Sequence, residues 1–75
     1  MTRKIYYVTS VGDVWGVRRA RRKRLDGVHM RKADAIGHAK RLARAALPGQ
    51  VIVAGRNGRI QTEYTYGEDP RDTSG

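Results

Sequence analysis

Cysteine is absent from this 75-residue sequence, which excludes disulfide staples and any thiolate metal site. Histidine occurs only twice, as His29 and His38, too few for a convincing metal centre. Phenylalanine is missing and tryptophan occurs once, so Trp15 is the large apolar anchor on which a small core would depend. No hydrophobic run approaches the roughly 20 residues that a membrane span requires. Met1-Thr2-Arg3-Lys4 is followed by only a short apolar patch, not a signal-peptide pattern, and the chain reads as cytoplasmic. At this length one domain is the limit, and such a domain buries only about 60% of its unfolded surface. Idealised local structure or self-association must supply the remaining stability.

Acidic residues are scarce too. Seven face 16 basic ones, for a net charge of +9, and Glu68, Asp69 and Asp72 stand close to the C-terminus. What the chain has in abundance is arginine. In Arg18-Arg19-Ala20-Arg21-Arg22-Lys23-Arg24, six of seven side chains are cationic, directly after the apolar run ending at Trp15-Gly16-Val17. Like charges so close repel one another, and a polyanion or solvent and counterions relieve the repulsion. The plain structural reading is a solvated edge whose charges discourage sheet-to-sheet aggregation.

Residues 4–11 are β-branched and aromatic and read as a strand. Gly12-Asp13 suits a type II′ hairpin turn, and residues 14–19 return. That register sets Ser10 against Trp15, Val8 against Val17 and Tyr6 against Arg19, with Tyr6, Val8, Trp15 and Val17 as the core face. Ile5, Tyr7, Thr9, Val11 and Arg18 take the other face. A short third strand is expected around Val28. Residues 32–47 carry Ala35, Ile36, Ala39, Leu42, Ala43, Ala46 and Leu47 on one helical stripe, stopped by Pro48-Gly49. No good N-cap residue stands at Met30-Arg31. Asn57-Gly58 between two apolar runs signals a type I′ hairpin, with Val51, Val53, Ile60 and Tyr64 completing the core.

The expected fold is therefore α+β: a small antiparallel sheet of two hairpins and a short extra strand, with one helix on one face, in the order β-β-(β)-α-β-β. Residues 1–66 form the domain, and 67–75, polar and turn-rich, read as a disordered tail. One helix cannot cover both sheet faces, so Ile5, Tyr7, Val11 and Ile52 are left as a candidate contact surface.

Taken in order, Tyr6-Tyr7-Val8-Thr9, Gly12-Asp13-Val14-Trp15-Gly16-Val17, Val28-His29, Lys32-Ala33-Asp34-Ala35-Ile36, Gly55-Arg56-Asn57-Gly58-Arg59-Ile60-Gln61 and Tyr64-Thr65-Tyr66-Gly67-Glu68-Asp69-Pro70 resemble a family of small bacterial proteins known as domain of unknown function two-one-eight-eight. The resemblance runs from about Ile5 to Pro70 and implies a compact bacterial domain, with no activity attached. Ala54 stands where that family usually has histidine, and Met30-Arg31 where it usually has a polar helix cap. The basic run is denser here than is usual in the family, so nucleic-acid binding is not carried over to the family as a whole.

For function, the residues offer no nucleophile in a recognisable motif and no supported acid–base pair, so no catalytic residue is assigned. His29 reads as a structural or capping group and His38 as a surface residue of the helix. Gly55 and Gly58 lack the Lys-Ser/Thr and following helix of a phosphate-binding loop. The leading expectation is a non-enzymatic nucleic-acid-binding protein without cofactor, metal, membrane or small-molecule substrate, with DNA preferred to RNA as partner. Arg18, Arg19, Arg21, Arg22, Lys23 and Arg24 would contact phosphates with little sequence preference, and Arg56 and Arg59 would form a second cluster at a hairpin tip. Tyr7 and Tyr66 are the candidates for base stacking. The alternative is a protein-interaction module that self-associates as a homodimer through the open sheet face.

Overall fold

A computed structural model describes residues 3–67. Five strands, β1 (Lys4–Val11), β2 (Val14–Arg19), β3 (Leu25–His29), β4 (Gly49–Ala54) and β5 (Ile60–Tyr66), form one sheet with the order β3-β2-β1-β4-β5. A single helix, α1 (Lys32–Ala45), lies between β3 and β4 in the chain and packs on one face. The expected α+β class and element order hold. The sheet is mixed, because α1 carries the chain over β2 and β1 and lays β4 parallel to β1; the other three pairings are antiparallel. Of the expected tail, 67–75, residues 68–75 lie outside the described range.

The first hairpin has the expected register, Ser10 opposite Trp15, Val8 opposite Val17 and Tyr6 opposite Arg19. Gly12 has φ +60° and Asp13 has a negative φ, as a type II′ turn requires. Tyr6, Val8, Trp15 and Val17 are all buried against the helix together with Val51 and Val53. The helix contributes Ala35, Ala39 and Ala43, spaced four apart and all fully buried. Methyl-sized contacts let its axis approach the sheet closely, and the sheet supplies the bulk of the core through Tyr6, Trp15 and the valines. Its N-cap, Arg31, makes no side-chain cap hydrogen bond, while Asp34 in the first turn and Arg44 in the last suit the dipole.

Three expectations are corrected. The helix ends at Ala45, not 47, so Leu47 leaves the apolar stripe and is exposed. A residue before proline is pushed out of the helical region, and the helix stops short of Leu47-Pro48. The second hairpin does not use Asn57-Gly58 as the centre of a type I′ turn. The Gly58 N–H donates to the Gly55 carbonyl at 2.9 Å and only Gly58, φ +83°, is left-handed, which leaves Arg56 and Asn57 as the central pair. Asn57 instead accepts the Arg59 N–H on its side-chain oxygen, 3.0 Å, an Asx arrangement that competes with the type I′ geometry. The register consequently slips between Val53 and Ala54, and Ile60, expected in the core, pairs with Ala54 and is exposed.

Candidate nucleic-acid interface

The strand directions give the sheet two distinct ends. One holds the start of β1, the end of β2, the β2–β3 connection and the start of β4. The other holds the Gly12-Asp13 turn, the helix N-terminus and the 55–59 turn. About six strand residues at roughly 3.3 Å each separate them, or about 20 Å. The basic run occupies the first end and Arg56 and Arg59 the second, so the two expected clusters are not brought together.

The basic run does not remain extended. Arg22 donates its N–H to the Arg19 carbonyl at 3.1 Å, closing a four-residue turn in which Arg21 has φ +72°. A negative φ at Ala20 with a positive one at the third position defines a type II turn, where glycine is the usual occupant. Arg21 is the sole non-glycine left-handed residue among those described. Two side chains hold the turn in place. The Arg18 guanidinium donates to the Arg22 carbonyl at 2.8 Å and stands 5.7 Å from the Tyr7 ring centroid. Asp26, the extra residue where the β2–β3 register shifts, accepts the Arg19 N–H at 3.1 Å. The bulge thus spends its one carboxylate on the backbone.

This divides the expected phosphate contacts. Arg18 is occupied as a strut, whereas Arg21, Arg22, Lys23 and Arg24 are exposed. Among the described residues, the side chains of Arg19, Arg21, Arg22, Lys23 and Arg24 make no hydrogen bond or ion pair; Arg19 and Arg22 are engaged through their backbones alone. Asp13 and Asp34 lie at the far end, and Glu63 on β5 accepts a hydrogen bond from Gln50. At the basic end Asp26 is therefore bound to the turn backbone, and Glu63 reaches that end through Gln50, whose side-chain oxygen accepts from Arg3 at 3.1 Å.

Several other cations are used internally. Arg56 and Lys32 stand 5.8 and 5.1 Å from the Trp15 ring centroid, and Lys32 also donates to Gln61. Lys40 and Arg44, one helical turn apart, cover Tyr64 and Tyr66, two residues apart on β5, at 4.0 and 5.2 Å. These contacts tie the edge strand to the helix. Tyr7 and Tyr66, the expected stacking residues, each lie under an arginine. Of the hairpin-tip pair, Arg59 remains exposed without a side-chain partner among the described residues.

The two histidines, read separately from the sequence, meet. His29 Nε2 and His38 Nδ1 are 2.9 Å apart, one ring donating and the other accepting, with the rings edge to face. His38 is half-buried rather than a surface residue, and it packs on Gly27, where a Cβ would come within 2.7 Å of Nδ1. Burial, then His29 and then Arg41, hold its pKa below the ordinary 6.5, with Asp26 opposing. No group of three or more possible metal ligands occurs among the described residues. No described helix is long and apolar enough to cross a membrane.

Residues 6–66 match a family described as an uncharacterized protein conserved in bacteria (DUF2188). The chain belongs to this family. The match spans both hairpins, the helix and the basic turn, beginning at the third residue of β1. No curated protein and no solved structure matches the chain.

Sequence reasoning missed Arg3 and Lys4. Their signal lay in the first hairpin's register: continued past Tyr6 and Arg19, it sets Ile5 against Ala20, and the Ala20 N–H indeed donates to the Ile5 carbonyl at 2.8 Å. The N-terminal cations thus adjoin the basic turn.

Proposed function

We propose that this protein is a small, non-enzymatic, cytoplasmic nucleic-acid-binding protein that holds the phosphate backbone at one end of its sheet, with DNA the first candidate. The supporting observation is the exposed row Arg21, Arg22, Lys23 and Arg24 beside half-buried Arg19, without carboxylate partners to their side chains among the described residues. Cations left without counter-charges attract a polyanion and release its counterions on binding, which gives affinity with little sequence preference. Arg18 serves by fixing the turn. Arg59, about 20 Å away by strand length, reaches the same strand only if the nucleic acid runs along the sheet.

The test uses the side chains that carry no structural load. Replacing Arg22, Lys23 and Arg24 by Ala leaves the hydrogen bonds of the turn intact, because Arg22 enters them through its backbone. The slope of log K against log salt should flatten by about 2 to 3, at roughly 0.7 to 0.9 per phosphate contact. An unchanged slope in a folded variant sinks the assignment.

A second reading rests on the open sheet face, where Val11 and Val28 are 41% and 52% exposed beside half-buried Ile5, Tyr7 and Ile52. A second copy of the chain would cover these residues. Light scattering over a concentration series should show a dimer, and a monomer throughout would remove this reading while leaving the first untouched.

A further inference from the structure

A cleft of about 320 Å³ opens at the basic end, between the start of β1 and the type II turn, lined by Arg3, Lys4, Ile5, Arg19, Ala20 and Arg21. Four of six lining residues are cations, drawn from two chain segments that the hairpin register brings side by side. Ile5 and Ala20 supply the apolar lining, and their backbones are joined by the Ala20 N–H to Ile5 carbonyl hydrogen bond, so that part of the wall is rigid. Lys4 and Arg19 are half-buried, which narrows their freedom and brings their charges closer to whatever enters. Of the described carboxylates near it, Asp26 is bound to the Arg19 N–H and Glu63 to the Gln50 side chain, which also accepts from Arg3.

Arg21 adds an independent observation. It holds a left-handed conformation, φ +72°, at a turn position that glycine occupies without strain. Strain retained at a cleft is a pointer to function when the side chain concerned has a task that glycine cannot perform. A guanidinium on the lip of a cationic cleft has such a task, because its planar fork matches phosphate oxygens.

We propose that this cleft is a phosphate-binding subsite in which Lys4, Arg19 and Arg21 converge on one phosphate group while the rest of the ligand rests against Ile5 and Ala20. The volume falls at the small end of ligand sites, enough for a single phosphorylated unit. The inference deepens the polyanion reading and rests on it for the source of the phosphate, a nucleic-acid strand. A free phosphorylated small molecule offers the same chemistry.

The experiment is amide-resolved NMR titration of the full chain with inorganic pyrophosphate and, separately, with a single-stranded oligonucleotide, for the parent and for Arg21→Gly. Glycine is compatible with the turn, so this variant removes the guanidinium and keeps the fold. Arg19→Gln is the second variant and leaves the Arg19 backbone bonds in place. Saturable shifts at residues 3–5 and 19–21 with both ligands, weakened about tenfold in each variant, are expected for loss of one charge-assisted contact. Saturable pyrophosphate shifts in the cleft without oligonucleotide binding would uphold the subsite and remove the nucleic-acid reading. Oligonucleotide binding that shifts only 22–24 or 56–59 would overturn the subsite and leave the nucleic-acid reading standing. No cleft response to either ligand, or an affinity in both variants equal to that of the parent, also overturns it.

Discussion

Replacing Gly49 by Ala should be the most damaging single-methyl change in the described fold. Gly49 opens β4, pairs with Lys4, and runs directly beneath the last helical turn. A Cβ there would stand 2.9 Å from both C and Cα of Ala43 and closer still to the Ala43 carbonyl oxygen. Ordinary Cβ contacts are 3.4–4 Å, and the obstacle is helix backbone, which no rotamer change can move aside. Overpacking costs about 1 to 3 kcal/mol where side chains can adjust, and a backbone clash belongs at or above the upper figure. A domain of this size has roughly 4 to 11 kcal/mol in total, so Gly49→Ala removes a large fraction. At about 4 to 8 °C per kcal/mol the melting temperature should fall by roughly 12 to 24 °C. Gly37→Ala is the control: it faces only the flexible tip of Arg41 at 4.0 Å, and it exchanges a helical glycine for alanine, worth about 1 kcal/mol of added stability. Thermal melts followed by circular dichroism read both. A Gly49→Ala melting temperature within about 3 °C of the parent would refute the close helix–strand approach.

Arg21→Gly should raise stability by about 1 kcal/mol by relieving the left-handed strain, read as a higher urea midpoint, and a lower midpoint would contradict the turn assignment. Because burial and His29 keep His38 neutral in the fold, the unfolded chain binds more protons as pH falls. The stability this neutrality provides is complete above the ordinary pKa of 6.5 and is lost as pH falls through the lower folded value. The urea midpoint should therefore drop between about pH 8 and pH 5, and His38→Gln should remove much of that drop; the same slope in parent and variant would exclude the pair as its source. A double-mutant cycle on Lys40→Ala and Tyr64→Leu should give a coupling of about 0.5 to 1 kcal/mol, and additivity would show that the 4.0 Å contact carries no energy.

The strands and the helix were legible where one period dominated. Alternation in residues 4–11 and 14–19 located the first hairpin to the residue, since Gly12 leaves a single turn type and the turn sets the register. The alanine stripe identified the helix and its buried face. Where a local side chain competes with the backbone, the reading failed: Asn57 takes the Arg59 N–H, and the slip that follows carries Ile60 out of the core. The parallel β1–β4 pair was not legible, because hydrophobic pattern fixes which face a strand buries and not which strand lies beside it. The basic run was visible at once, whereas its partition was not. Arg18 as strut, Arg21 in a left-handed turn and Lys4 across from them all depend on register and turn geometry. The His29–His38 contact likewise needs β3 and α1 to pack through Gly27, a relation with no sequence period.

A cationic sheet end proposed to hold a phosphate backbone must bind nucleic acid in solution. The most direct measurement is fluorescence anisotropy of labelled duplex DNA, single-stranded DNA and RNA titrated with the full chain at two salt concentrations around physiological. Micromolar or tighter binding that weakens steeply with salt is expected. Absence of binding to all three at the lower salt would contradict it, and would leave Arg21, Arg22, Lys23 and Arg24 as protection for a sheet end.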